Sequence, residues 1–233
     1  MKSRTNILGL VIVLAASSLL LAQQQQKEEA SAERTRIKES GDVLKQILDM
    51  PDNGIPKSIL DQAKCVIVLP SVRKMAFGIG GSFGRGLMSC RTGADHNGPW
   101  SAPVMMVSGG GNFGFQIGAQ ATDFVILVMN DQGAKSMRGS NRVQLGADAS
   151  IAAGPVGRTA QASTNASMQA QMLSYSRSRG IFAGVSLSGA TLRPDGGANE
   201  SLYGREVSPQ EIIDGKVPMP AEAQELISQL QRT

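Results

Sequence analysis

The chain has 233 residues, 27 of them glycine, with 18% charged residues, 4% aromatic residues and a formal net charge of +4. Glycine stands well above the usual ~7% and charge below the usual ~25% of a soluble domain, which argues against a helical bundle or a disordered chain and for one β-rich domain. So small a basic excess, with so few rings to stack on bases, also argues against nucleic-acid binding.

Lys2 and Arg4 precede an apolar run over residues 7–21, which ends in Ala22 before a stretch of glutamines. A basic start followed by an apolar core too short for a comfortable membrane span reads as a secretory signal peptide, residues 1–22, with an uncleaved N-terminal anchor as the alternative. The expectation is an exported protein of the periplasm or cell envelope. Residues 23–39 are polar, lack an apolar stripe and read as a mobile spacer, leaving 40–232 as the domain. Val43, Leu44, Ile47 and Leu48 recur at helical spacing behind Ser40 or Asp42, and Pro51 stops that helix. Pro56 opens a second short helix over 56–64, with Ile59, Leu60 and Ala63 on its apolar side.

Residues 65–69 (CVIVL) read as a buried strand ended by Pro70. Residues 74–82 and 83–91 follow as a hairpin interrupted by Gly78, Gly80, Gly81, Gly84 and Gly86; without a Cβ, such a run permits positive φ, bulges or close approach of another backbone. A polar loop over 92–99 carries the single histidine, His96, read as solvated. Strands are expected at 100–107, 112–121 and 124–129, a short helix at 131–138, and an alternating strand at 143–153. Two more strands fall at 173–177 and 181–188, with 159–171 open between strand and loop. A helical turn at 209–214 and a helix at 221–231 close the chain. The fold class is α+β: a glycine-rich, strongly curved, mainly antiparallel sheet or open barrel, flanked by N-terminal and C-terminal helices.

The short motifs carry little chemistry. Residues 109–114 fit G-x-G-x-x-G, but a dinucleotide fingerprint needs a helix next and an alternating strand pattern follows. Residues 80–84 fit G-x-S-x-G around Ser82, yet that elbow also requires a strand-to-helix turn and a later acid and histidine. No catalytic residue, metal ligand or cofactor site is assigned. Asp123, Asp131 and Asp148 read as turn caps. Cys65 and Cys90 are either one disulfide or two buried thiols. Lys57, Lys64, Arg73, Lys74, Arg85 and Arg91 gather around the glycine-rich stretch, as a solvated face or as a patch for anionic head groups.

Longer segments are more specific. AKCVIVLPSVRKMAFGIGGSFGRGLMSCR, WSAPVMMVSGGGNFGFQIGAQATDFVILVMN, LGADASIAAGPVGR, YSRSRGIFAG and LYG, in that order, resemble the SYLF lipid-binding domain family, also called the yeast actin-patch-type domain, over residues 40–230. In its arrangement, an export signal with this domain alone, the chain is similar to the family's bacterial members. The resemblance implies a non-enzymatic protein that binds phospholipid, phosphatidylinositol-type in the family and more generally anionic here, at a membrane or envelope surface. On that reading Lys45, Lys57, Arg73, Lys74 and Arg85 supply charge, while Val43, Leu44, Ile47 and Leu48 supply apolar contact or pack against the sheet. Relatives with actin partners carry SH3 or FYVE modules, which this sequence lacks, so actin binding is not expected. The alternative is a structural or interaction protein of the envelope that docks a protein partner on its sheet edge.

Overall fold

Two very long strands, β1 (Cys65–Cys90) and β2 (Val104–Val128), run antiparallel in register from Cys65↔Val128 to Met88↔Val104. The computed structural model describes residues 2–50, 54–93, 95–139, 142–155, 170–178 and 189–231, with the backbone alone over 2–20, 22, 75–80, 112–120 and 178. The hairpin expected over 74–91 is therefore a single strand; the strands expected at 65–69 and 112–121 are parts of β1 and β2, while those expected at 100–107 and 124–129 belong to β2 only over 104–107 and 124–128. The glycines bend the ribbon instead of turning it, and among the described residues every glycine with positive φ lies outside both strands.

A straight strand of this length would part Cys65 from Cys90 by about 80 Å. Their Cα atoms are 3.9 Å apart and the two residues form a disulfide, so the ribbon coils until its ends meet. Two glycines make the meeting close: a Cβ on Gly84 would lie 2.7 Å from Val72 Cγ2, and one on Gly86 would lie 2.9 Å from Leu69 Cα. Register shifts between Leu69 and Val72 and between Phe77 and Ile79 add local bend.

The other edge of β2 pairs with β5 (Met172–Ser178) over 122–128 and with β6 (Thr191–Pro194) over 106–109. On the outer sides, β3 (Val143–Gln144) joins β6 antiparallel and β4 (Ile151–Ala153) joins β5 in parallel. The expected strand over 143–153 breaks between β3 and β4, where Gly146 takes φ +88° and Asp148 Oδ2 accepts from the Gln144 amide at 2.7 Å. The strand expected at 181–188, most of 159–171 and the helix stop at Pro51 lie outside the described residues.

At the base of the ribbon both sheet faces are covered, which is why CVIVL reads as a continuous apolar run. Cys65, Ile67, Leu69, Phe124, Ile126 and Val128 face α3 (Asp131–Arg138) and α5 (Pro209–Ile213) through Met137, Ile212 and Ile213. Val66, Val68, Val125 and Leu127 face the other layer: α1 (Lys2–Leu48), α2 (Lys57–Leu60), α4 (Gly196–Tyr203) and α6 (Gln224–Gln231). A 3-10 turn, Ala221–Ala223, leads into α6.

The segment read as a mobile spacer is helical, continuous with the domain's first helix in α1. Its end is packed: Glu33, Ile37 and Ser40 are buried, Arg34 meets Glu222 at 2.8 Å, and Ser201 Oγ donates to Glu29 at 3.2 Å. Among the described residues no helix is long and apolar enough to cross a membrane. Helix α3 matches its expected bounds, whereas α4 had no expected counterpart. It is pinned by buried Asn199, whose Oδ1 accepts from the Met105 amide at 2.8 Å and whose Nδ2 donates to the Met105 carbonyl at 3.2 Å.

Candidate functional site

The ribbon divides where Gly84 packs on Val72. On one side both legs are clamped into the core; on the other, residues 73–83 of β1, paired with 109–121 of β2, form a bend that β5 and β6 hardly reach. Register pairs Met75 with Ala119, Phe77 with Ile117 and Ile79 with Phe113, so apolar residue types oppose one another along the bend. Its second half is glycine opposite glycine, Gly81↔Gly111, followed by Ser82↔Gly110 and Phe83↔Gly109. Phe83 is 56% exposed, an unusual state for a phenyl ring in a soluble domain.

The first foot of the bend is built by a bulge. Pro70 has no amide hydrogen and Ser71 takes φ +51°, which turns the Ser71 amide out of the ladder and onto Asp123 Oδ1 at 2.9 Å. Asp123 Oδ2 accepts from Arg177 Nη2 at 2.9 Å, and Arg177 also donates to Gln46 of α1. The carboxylate thus caps the bulge and ties β5 and α1 to it, the structural role expected of it. Beyond the bulge, Arg73 is exposed and Lys74 is half-buried, with its Nζ 5.9 Å from the Phe124 ring centroid. Burial pulls the Lys74 pKa below the ordinary lysine value. No acid pairs with either cation among the described residues.

The other candidate residues scatter. Lys45 is exposed on α1 beside Gln46, and Lys57 is exposed on α2. Arg85, at the second foot, is held by Asp195 at 3.2 Å and by Glu33 at 4.0 Å, so its charge is already compensated. The structure gives Val43, Leu44 and Ile47 to the core and leaves Leu48 partly buried against it, because the apolar stripe of α1 faces the sheet and α6. They form no exposed stripe. Cys65 and Cys90 are paired.

Ser82 and His96 are not brought together. Ser82 Oγ donates to the Gly110 carbonyl at 3.5 Å within the bend. His96, read as solvated, is 2% exposed with φ +51°, and its Nδ1 lies 3.5 Å from Asp131 Oδ1 on α3. The loop folds back there because Lys64, just before β1, donates to the Asp95 carbonyl and to Asn97 Oδ1. Burial, then the Arg138 charge, lowers the pKa of His96.

The profile of the Ysc84 family, described as Las17-binding protein actin regulator, matches residues 109–233. An SH3 domain-containing protein of Schizosaccharomyces pombe is 36% identical over 84% of this chain and 46% of its own length. The human SH3 domain-containing YSC84-like protein 1 is 30% identical over 83% of this chain and 57% of its own. Protein YSC84 of Saccharomyces cerevisiae is 33% identical over 76% of this chain and 37% of its own. The chain thus spans about half the length, or less, of these relatives, which are named for SH3 or Ysc84 content and not for a catalytic activity. With a profile match over its second half and relatives aligned along most of its length, the chain belongs to the Ysc84 family, the family of the SYLF domain.

Proposed function

We propose that this chain is a non-enzymatic, exported lipid-binding protein that meets anionic phospholipid at a membrane or envelope surface through the bend of its ribbon. One observation carries the reading: beyond the Val72–Gly84 contact the ribbon combines apolar residue types, an exposed Phe83 and two cations, Arg73 and Lys74, that have no acid partner among the described residues. Each cation near an anionic surface contributes about 1 kcal/mol, and burial of one phenyl side chain about 2 kcal/mol. The sum describes weak, reversible and salt-sensitive attachment. Export rests on the basic start and apolar run of residues 1–22. Lys45 and Lys57 lie outside the bend and contribute at longer range.

The test is co-sedimentation with phosphatidylcholine vesicles, alone and with an anionic phospholipid, in about 50 mM salt where screening is weak. The expected result is pelleting with the anionic vesicles only; pelleting with neither rejects the reading. The description of the family as an actin regulator supports a second reading, docking of a protein partner. Filamentous actin in a parallel tube decides it, since actin pelleting without vesicle binding favours that partner role.

A further inference from the structure

A second feature lies in the helices that cover the opposite sheet face from α1. Lys135, Arg138, Ser208, Pro209 and Gln210 line a groove of about 420 Å³ between α3 and α5. Lys135 and Arg138 sit one turn apart, so both project toward the same side of α3. Neither has an acid partner among the described residues, and Arg138 Nε is sealed from water without an acceptor. A place in the last turn of a helix accounts for a cation. It does not supply a counter-charge, and the residues that line the groove include no carboxylate.

The neighbouring acids are engaged elsewhere. Glu211 accepts from the Ser208 amide and hydroxyl in a capping box, and Asp214 accepts from Gln210 Nε2 at 2.8 Å. Asp131 lies against His96, whose surroundings also include the positive charges of Arg138, Lys64 and Lys135. Glu211 also meets Arg205 at 3.5 Å, so each of these carboxylates has a partner of its own, while the groove is lined by Lys135 and Arg138. A planar fork beside an ammonium suits a tetrahedral dianion.

We propose that the groove between α3 and α5 is a phosphate-monoester site, with Arg138 donating through its guanidinium and Lys135 supplying a second charge. It is separate from the ribbon bend and stands or falls independently of it. The shared chemistry is a terminal phosphate, borne by a soluble phosphorylated molecule or by a phosphatidic-acid head group.

Binding of inorganic phosphate and of glycerol 3-phosphate to the full domain, by calorimetry at constant ionic strength, tests it. Saturable binding is expected, with affinity reduced about tenfold or more in Lys135→Ala/Arg138→Gln. Arg138→Lys recovers only part of the affinity, since a point charge replaces the fork. If the double variant is unstable, Lys135→Ala alone, at an exposed position, shows a loss of several-fold. Arg73→Glu/Lys74→Glu leaves phosphate binding unchanged, which separates this site from the bend. Vesicles containing phosphatidic acid decide the source: weakened by the groove variant, the ligand is a head group; unaffected, it is soluble. No saturable phosphate binding, or equal affinity in the double variant, overturns the proposal.

Discussion

The two halves of the ribbon share one secondary structure and one antiparallel pairing but differ in what surrounds them. At its base, odd and even residues of Cys65 to Leu69 are both buried, a disulfide joins the ends, and helices cover each face. In the bend, the only partner described for residues 73–83 is the facing leg, glycine opposes glycine, and Phe83 meets water. Strand pairing alone therefore does not set stability here; covering does. Among the described residues, helices cover the base and not the bend.

The largest test of that contrast compares two glycines. At Gly86 a methyl would strike the Val68 carbonyl and lie 2.9 Å from Leu69 Cα, whereas at Gly81 the nearest atom would be the Gly110 carbonyl at 3.7 Å. Gly86→Ala should lose about 3 kcal/mol or more in urea unfolding, and Gly81→Ala less than about 1 kcal/mol. Equal losses would break the comparison.

The disulfide comes next. Closing a separation of 25 residues, it should contribute about 3 kcal/mol, read as the drop in unfolding free energy of Cys65→Ser/Cys90→Ser. Vesicle binding below the new Tm should persist, because the bend is not held by that bond directly. Asp123→Asn should follow at about 2 kcal/mol, since it weakens the acceptor for the Ser71 amide and leaves Arg177 without its carboxylate.

The smallest effect concerns pH at the base. His96 is buried and its pKa lies below the ordinary 6.5, with burial as the first cause and the Arg138 charge as the second. The unfolded chain then takes up the proton first, so this contribution is complete above about pH 6.5 and is lost as pH falls through the lower folded value. His96→Gln should flatten the difference in Tm between neutral and mildly acidic buffer relative to wild type. An unchanged difference would remove His96 as its source.

Much of this was legible in the residues. Asn130 caps α3 by accepting from the Gly133 amide, and the apolar spacing of Leu226, Ile227 and Leu230 marks α6. The glycine runs were ambiguous because the missing Cβ serves a tight turn and a close crossing equally well; only the partner across the crossing, Val72 for Gly84, decides. Val43, Leu44 and Ile47 announced an apolar face, but spacing does not say whether protein or lipid covers it. Helix α4 hid behind two glycines and an asparagine, although Asp195 at its start and Gly204 at φ +72° after its end are ordinary cap signals. Nothing local to His96 marks its burial, which depends on α3, more than thirty residues later in the chain.

The central claim is that the bend is the part a membrane covers and the base is not. Amide hydrogen exchange, followed by mass spectrometry with and without anionic vesicles, reads both halves in one experiment. The account predicts that residues 73–83 and 109–121 gain protection when vesicles are present, while the base strands and α1 exchange as before. Protection confined to the helical layer of α1, α4 and α6, with the bend unchanged, would contradict it.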